Sequence, residues 1–451
     1  MSKTRIRQDD DRPQLPGQLI DWLTRPVARF LRIEAAAGSI LLLFTVIALL
    51  ISNSSWGGSF LAAWETPAGI RIGELEFSRS IREWINDALM TLFFFLVALE
   101  LKRELVLGEL RKPRTAALSI VAALGGMLVP AAIYWSLQSG EAGQHGWGTV
   151  MATDTAFVIG CLALLGKRIP QNLRVFMLSV AIVDDIGAIA VVAIGYGSGI
   201  HWLALLAAAA GIVIVRMMAL LGIRGLVVYF FVGACIWFMV DASGIHATIT
   251  GVILGLMTPT HRWVSGKRLH DILQRVVEHP PDNSSGGNSD THKSLHIAEA
   301  AAREALSPVE RLEILLHPWV GFVIMPLFAL ANAGVQISIN GFKNPVTLAV
   351  IAGFVLGKPV GIVAFSWFAI RAGIARRPID LHWRLIAGGG LLAGIGFTMA
   401  LFIANLAFSP ALLDSAKLGI LVASIVSALA GVLLLGWPVS STNAQKAVNH
   451  E

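Results

Sequence analysis

Apolar residues run along this chain in long blocks broken by short polar stretches. The blocks fall at about 35–52, 84–102, 116–136, 148–166, 173–196, 202–220, 225–240, 244–258, 315–335, 346–370, 384–408 and 416–437. A helix rises ~1.5 Å per residue, so about 20 apolar residues cross the ~30 Å hydrocarbon layer of a bilayer. Lipid offers no hydrogen bonds to the backbone, so each crossing segment must satisfy its own peptide groups as a helix. The pattern predicts an all-α polytopic membrane protein of about twelve transmembrane helices. These form one domain over residues 33–438, flanked by polar segments at 1–32 and 439–451.

Four departures from the block pattern carry information. Residues 69–77 alternate around Gly73-Glu74, which predicts a small β-hairpin outside the membrane. The fourth block contains Gly148-Thr-Val-Met-Ala-Thr-Asp-Thr-Ala-Phe157, rich in small and hydroxyl residues. The eleventh contains Gly388-Gly389-Gly390 through Gly394 and Gly396. Both read as interrupted helices, because glycine lets a helix unwind and lets neighbours approach closely. Blocks three to five and ten to twelve each run plain, interrupted, plain, and with opposite charge topology they suggest an inverted repeat. Residues 261–310 form a polar insertion containing Pro280-Pro281-Asp-Asn-Ser-Ser-Gly-Gly. It reads as a cytoplasmic and partly disordered loop, with a helical stretch from His296 to Arg311.

Composition agrees with the pattern: 55% of residues are hydrophobic and 14% charged, against about 45–50% and 25% for soluble domains. A net charge of +6 raises the question of nucleic acid. The basic residues instead gather in alternate loops, from Lys102, Arg103, Arg111, Lys112 and Arg114 to Arg371, Arg376 and Arg377. The opposite loops hold few, among them Arg71, Arg79, Lys343 and Lys417. That excludes nucleic acid as a partner and, by the positive-inside rule, puts both termini in the cytoplasm. Cys161 and Cys235 lie in apolar blocks without metal-ligand spacing, as core residues do. The first block lies behind a long charged segment and is followed by no cleavage signal, so it reads as a retained span.

The candidate chemistry is what stays charged inside the blocks. Asp184 and Asp185 sit near the middle of Met177 to Ile194, where a charge costs at least ~2.5–3.5 kcal/mol on insertion scales. Neighbours on a helix point ~100° apart, so one carboxylate can take a protein partner while the other faces a cavity. The plainer alternative puts both in a loop, but no turn residues flank them. Thr153 and Asp154 lie at the fourth-block interruption, where unwound backbone coordinates ions in transporters. The alternative for Asp154 is a helix N-cap of a span starting later, and a cap within a broken helix satisfies both readings. Lys358, deep in the tenth block, needs a carboxylate partner, with Asp184 the natural one. Otherwise it snorkels to the interface. Glu100 and Glu104, like Glu313 and His317, are four apart and share a helix face. They are either a titrating cluster or ordinary polar helix ends. His246, at the outer end of the eighth block, is either structural or a modulator that titrates near neutrality.

These residues, taken in order, resemble the NhaA-type sodium/proton antiporters from about residue 30 to 437. The strings that carry the resemblance include Ile85-Asn-Asp87-Ala-Leu-Met90, Ala98-Leu-Glu-Leu-Lys-Arg-Glu-Leu105 and Met151-Ala-Thr-Asp154. They continue with Ala181-Ile-Val-Asp-Asp-Ile-Gly-Ala188, Gly244-Ile-His-Ala-Thr248, Leu316-His-Pro-Trp319, Gly357-Lys-Pro359 and Gly394-Ile-Gly-Phe-Thr-Met399. The resemblance implies a twelve-helix transporter in the bacterial inner membrane, with broken fourth and eleventh helices that cross. It implies Asp185 as the main Na+ or Li+ ligand, with Asp184 beside it and paired to Lys358. Thr153 and Asp154 fall at the crossing. Glu100, Glu104, Glu313 and His317 fall in a pH-responsive cytoplasmic cluster. The hairpin near 69–77 would serve a homodimer. No cofactor is implied. Ile314, where the family often has His, and the long insertion depart from the pattern.

On this reading a proton and a cation compete for the same carboxylate oxygens, and the site faces the two sides in turn. Two other classes also place acidic residues within a membrane. An intramembrane aspartyl protease needs a Gly-x-Gly-Asp string, which is absent. A sodium- or proton-coupled symporter of an organic solute would move its ion together with the solute, not in exchange for the other ion.

Overall fold

The computed structural model describes residues 34–72, 75–108, 113–197, 199–223, 225–261, 266–278, 297, 301, 305–337 and 339–437. The terminal segments, the hairpin tip at Gly73-Glu74 and most of the 261–310 insertion lie outside the described residues. The chain opens with α1 (Glu34–Ser52) and α2 (Gly57–Trp64), which turns back by 120°. Strands β1 (Pro67–Ile72) and β2 (Leu75–Ser80) pair antiparallel, with Ile72 opposite Leu75 and Pro67 opposite Ser80. The sequence pattern missed α2, because the polar run Ser52 to Gly58 reads as loop.

Ser80 caps α3 (Ile81–Trp84) through a reciprocal box with Glu83. This stops the strand and starts a helix at one residue. A π-helical turn, Ile85–Leu89, then leads into α4 (Met90–Leu107). There follow α5 (Pro113–Leu137), a 3₁₀ turn (Gln144–Met151), α6 (Thr155–Leu164), α7 (Gln171–Gly195), α8 (Trp202–Leu220), α9 (Leu226–Ala242) and α10 (Ile249–Met257). Within the insertion lies α11 (Gly266–Glu278). Then come α12 (Pro308–Trp319), a π turn (Val320–Ile324), α13 (Met325–Asn332), α14 (Pro345–Ala352), a π turn (Gly353–Gly357) and α15 (Lys358–Arg371). The last elements are α16 (Trp383–Ala393), α17 (Phe397–Ala407) and α18 (Pro410–Gly436).

Eight of the described helices are long and apolar enough to cross a membrane, or up to ten if α1–α2 and α16–α17 each count as one bent span. The two remaining expected stretches, 225–240 and 244–258, form α9 of 17 residues and α10 of 9. Gly244 at φ 83° turns the chain between them. α9 fills its expected stretch, while α10 starts five residues late, at Ile249, because the turn runs on through His246 and Thr248.

Close approach between helices is made by missing side chains. A Cβ on Gly125 of α5 would lie 2.3 Å from Gly361 O of α15, and one on Gly361 would lie 2.1 Å from Gly125 O. Small residues at such contacts replace the hydrophobic drive that is absent between helices in lipid. The contact brings the Lys358 helix onto α5, beside α7.

Candidate functional site

Two interrupted helices meet at the centre of the molecule. In the first, the 3₁₀ turn ends at Met151, the backbone is extended at Ala152 and Asp154, and α6 starts at Thr155. In the second, α16 stops at Ala393 and α17 restarts at Phe397 with a 46° bend. Interruption frees backbone groups that lipid cannot satisfy, so each break supplies the other. Asp154 N donates to Ile395 O at 2.7 Å. Asp154 Oδ1 accepts from Phe157 N at 3.3 Å, and Oδ2 accepts from Thr398 N at 3.0 Å and from the Thr398 hydroxyl. One buried carboxylate thus caps the N-termini of both α6 and α17, where helix dipoles favour negative charge. Ser424 of α18 accepts from Phe397 N at 3.3 Å. A Cβ on Gly394 would sit 2.5 Å from Ser427 Oγ and 2.8 Å from Phe354 O, so only glycine fits that bend.

Asp184 and Asp185 project from α7 toward these breaks. Asp184 and Lys358 are fully buried and pair at 2.8 Å. The ammonium has three protons and uses them on Asp184 Oδ2, Thr153 Oγ1 at 2.8 Å and Met151 O. Thr153 Oγ1 lies 2.7 Å from Asp184 Oδ2 and 3.0 Å from Ala393 O. Its single proton serves one of these at a time. The pairing read from the sequence is therefore present, and Lys358 does not snorkel.

Asp185 is different. Its Oδ2 has the Thr155 hydroxyl at 3.4 Å, while Oδ1 is buried with no hydrogen-bond partner among the described residues. Asp184 Oδ1 is in the same condition. Two adjacent carboxylates thus present unfilled oxygens beside hydroxyls and freed carbonyls. That donor set suits a hard monovalent cation or a proton.

At the basic-loop end of α4 a second group assembles. Arg103 Nη1 donates to Glu313 Oε1 at 2.6 Å, and His317 Nε2 lies 3.9 Å from Glu100 Oε1. Glu104 lies one helical turn further along α4. Ser307 and Glu310 form the box that starts α12 and so set the register of Glu313 and His317. His246 stands apart, with its ring 2.7 Å from Tyr196 O. Gly251 packs on Thr91 and Gly255 on Ala98, so α10 runs alongside α4 with His246 at the hairpin end.

Sequence reading gave no site role to three participants. Thr155 and Thr398 stand in the quoted strings but carry no charge to mark them. Arg103 looked like one loop cation among many. The signal for Thr398 was its place just after the Gly394–Gly396 break, where an N-terminal cap is needed.

The sequence profile of the family described as Na+/H+ antiporter 1 matches residues 28–435. Na(+)/H(+) antiporter NhaA 2 of Acidiphilium cryptum (strain JF-5) is 61% identical over 433 residues, covering 95% of this chain and 96% of that protein. Na(+)/H(+) antiporter NhaA 2 of Vibrio vulnificus (strain CMCP6) is 58% identical over 435 residues, covering 96% and 97%. Na(+)/H(+) antiporter NhaA of Rhizobium meliloti (strain 1021) is 58% identical over 427 residues, covering 95% and 98%.

Proposed function

The chain belongs to the Na+/H+ antiporter 1 family, and from that premise we propose how its residues carry out the exchange. It is a multi-pass membrane transporter, not an enzyme, and it exchanges Na+ for H+. In our reading Asp185 is the main ligand of the transported cation, Na+ or Li+. Asp184 is the second carboxylate, and Thr153 and Asp154 hold the frame. One observation carries this: Asp185 Oδ1 is buried, lacks a partner among the described residues and lies beside a neutralised Asp184–Lys358 pair. A desolvated carboxylate is costly as a bare charge, and either a proton or a cation relieves that cost. The two cannot share the oxygens, so loading one expels the other. The adjacent carboxylates titrate as a coupled set.

The direction follows from the proton gradient: inward H+ drives Na+ out of the cytoplasm. The setting we propose is the bacterial inner membrane, with both termini cytoplasmic and twelve helices in an inverted repeat whose fourth and eleventh members cross. The hydrogen bonds between the two breaks support the crossing. The hairpin near 69–77 is proposed as the contact of a homodimer. The exchange uses no cofactor. Everted membrane vesicles test the function: Na+ or Li+ added outside should collapse a preformed acid interior, and K+ should not. Collapse that requires an organic solute would turn the reading to symport.

Glu100, Glu104, Glu313 and His317 form a proposed pH-responsive cluster at the cytoplasmic mouth, with His246 a modulator at the opposite end. Ion pairs partly open to water couple by about 0.2–1 kcal/mol, and ~1.4 kcal/mol corresponds to one pH unit. Glu313→Gln or His317→Ala should therefore move the midpoint of the activity–pH curve by a few tenths of a unit, up to ~0.7, with the maximum kept. A lowered maximum at an unmoved midpoint would make the cluster structural.

A further inference from the structure

Three asparagines from three elements meet on the hairpin side of the ion site. Asn332 closes α13 and is wholly buried. Its Nδ2 donates to Asn86 Oδ1 at 2.8 Å and to Phe328 O at 3.0 Å. Its Oδ1 accepts from Asn405 Nδ2 at 3.1 Å and from Asn86 Nδ2 at 3.4 Å. All four hydrogen-bonding positions of the Asn332 amide are thus in use. Asn405 Nδ2 also donates to Leu401 O at 2.8 Å within α17. Asn86 sits in the π turn before α4, next to Asp87, which Arg79 of β2 holds; Arg79 also donates to Asp241 of α9 at 2.6 Å.

The placement of these elements gives the triad its meaning. Asn405 is two turns along α17 from Thr398, which binds Asp154 at the ion site. The α3–α4 and α12–α13 segments, which carry Asn86 and Asn332, carry Glu100, Glu313 and His317 toward their other ends. The triad therefore ties the broken helix of the ion site to the pair of segments facing it. Between Thr398 and Asn405, the side chains of Leu401, Phe402, Ile403 and Ala404 are at most 1% exposed, with Phe402 against Phe94 at 5.2 Å. This stretch of α17 offers no surface to water. Toward the cytoplasm, Glu100 and His317 retain 25% and 43% side-chain exposure.

We propose that Asn86, Asn332 and Asn405 are the latch of the outer gate, joined when the site faces the cytoplasm and parted when it faces outward. The latch rests on the exchange reading, since antiport requires the site to open to each side in turn. Amides suit the task for a physical reason. An apolar seal can slide, whereas the directional bond from Asn405 to Asn332 fixes one register of α17 on α13, and the reciprocal Asn86–Asn332 pair holds α13 on the turn before α4. When parted, amides bond to the entering water, so opening exchanges one set of hydrogen bonds for another. A buried ion pair in the same place would lose far more on parting.

A reversible crosslink tests it. With Cys161→Ser and Cys235→Ser as background, Asn332→Cys and Asn405→Cys set two thiols across the α13–α17 contact. Copper–phenanthroline with dissolved oxygen takes the two electrons, and two protons leave as the disulfide forms. Na+-driven proton exchange in vesicles should fall at least about tenfold on oxidation, return on reduction with dithiothreitol, and leave Na+ binding in detergent intact. Equal exchange in both states, with the crosslink confirmed by mass, overturns the latch, because a merely structural contact never needs to part. If the thiols do not join or the reduced pair does not transport, Asn405→Ala with Ala404→Cys replaces it. Labelling from outside by a membrane-impermeant maleimide should then rise at least roughly threefold over Ala404→Cys alone, and equal labelling overturns the proposal. Failure of the unsubstituted chain to exchange Na+ for H+ would sink the exchange reading and take the latch with it.

Discussion

Asp185→Asn yields a folded protein that no longer releases protons when Na+ is added. The amide keeps the shape of the carboxyl group and one oxygen, so packing around α7 is preserved. It brings neither a proton that Na+ could displace nor a charge to balance the ion. Loss of one charged ligand, about 2–3 kcal/mol, weakens Na+ binding by on the order of 100-fold, and with no proton on the residue the coupling itself is lost. Calorimetric titration of the purified protein, read for both heat and proton release, separates the two effects. Asp185 already lacks a strong partner, its nearest contact being the Thr155 hydroxyl at 3.4 Å, so thermal stability should stay within about 1 kcal/mol of the unsubstituted chain. Near-normal proton release from the variant would remove Asp185 from the role.

Lys358→Ala should be the most destabilising single change at the site. The ammonium holds Asp184, Thr153 and Met151 O together with no access to water. Its removal strands a buried carboxylate, which costs about 3–5 kcal/mol when one partner of a buried pair is lost. Only the Thr153 hydroxyl then remains on Asp184 Oδ2. Adding Asp184→Asn removes the stranded charge and should recover part of the loss, not all, because the cavity left by the lysine stem remains. Thermal scanning in detergent of the two singles and the double tests this. A double variant no more stable than the worse single would mean that the pair does not govern stability here. Asp185 is untouched in the double variant, so it should still bind Na+.

What could be read from the sequence was what costs energy in lipid. Lys358 and Asp184 stood out because each alone at that depth is intolerable, and their pairing followed from that need. Asp154 stood out for the same reason, and both of its readings met at the break. Asn332 and Asn405 did not stand out, since a neutral amide in an apolar block is cheap enough to look incidental and its partners come from other elements. The π turns at Ile85–Leu89 and Gly353–Gly357 were invisible for another reason. Each adds one residue where the periodic pattern is too short, as beside the four-residue α3, or too uniformly apolar, as around Gly353–Gly357, for the extra residue to show. Yet these turns bear Asn86 and Asp87 and lead directly into Lys358. The start of α10 was misplaced because hydropathy counts apolar residues and does not register how far the turn at Gly244 extends.

The shared cap at Asp154 also sets a timetable for biosynthesis. Asp154 and Thr398 are 244 residues apart in the chain, and at about 5–20 residues per second the ribosome needs roughly 12–50 s to travel that distance. For that interval the first half is in the bilayer with Asp154 serving α6 alone, and its own N–H still lacks the Ile395 carbonyl. Lys358 emerges earlier, 174 residues after Asp184. The Asp184–Lys358 pair can therefore form before the helix ends of the site are capped. The nascent chain carries an incomplete core until α17 arrives, so a ribosome that stops between Lys358 and Thr398 leaves a protein with its lysine pair in reach and its central break open, a distinct substrate for membrane quality control.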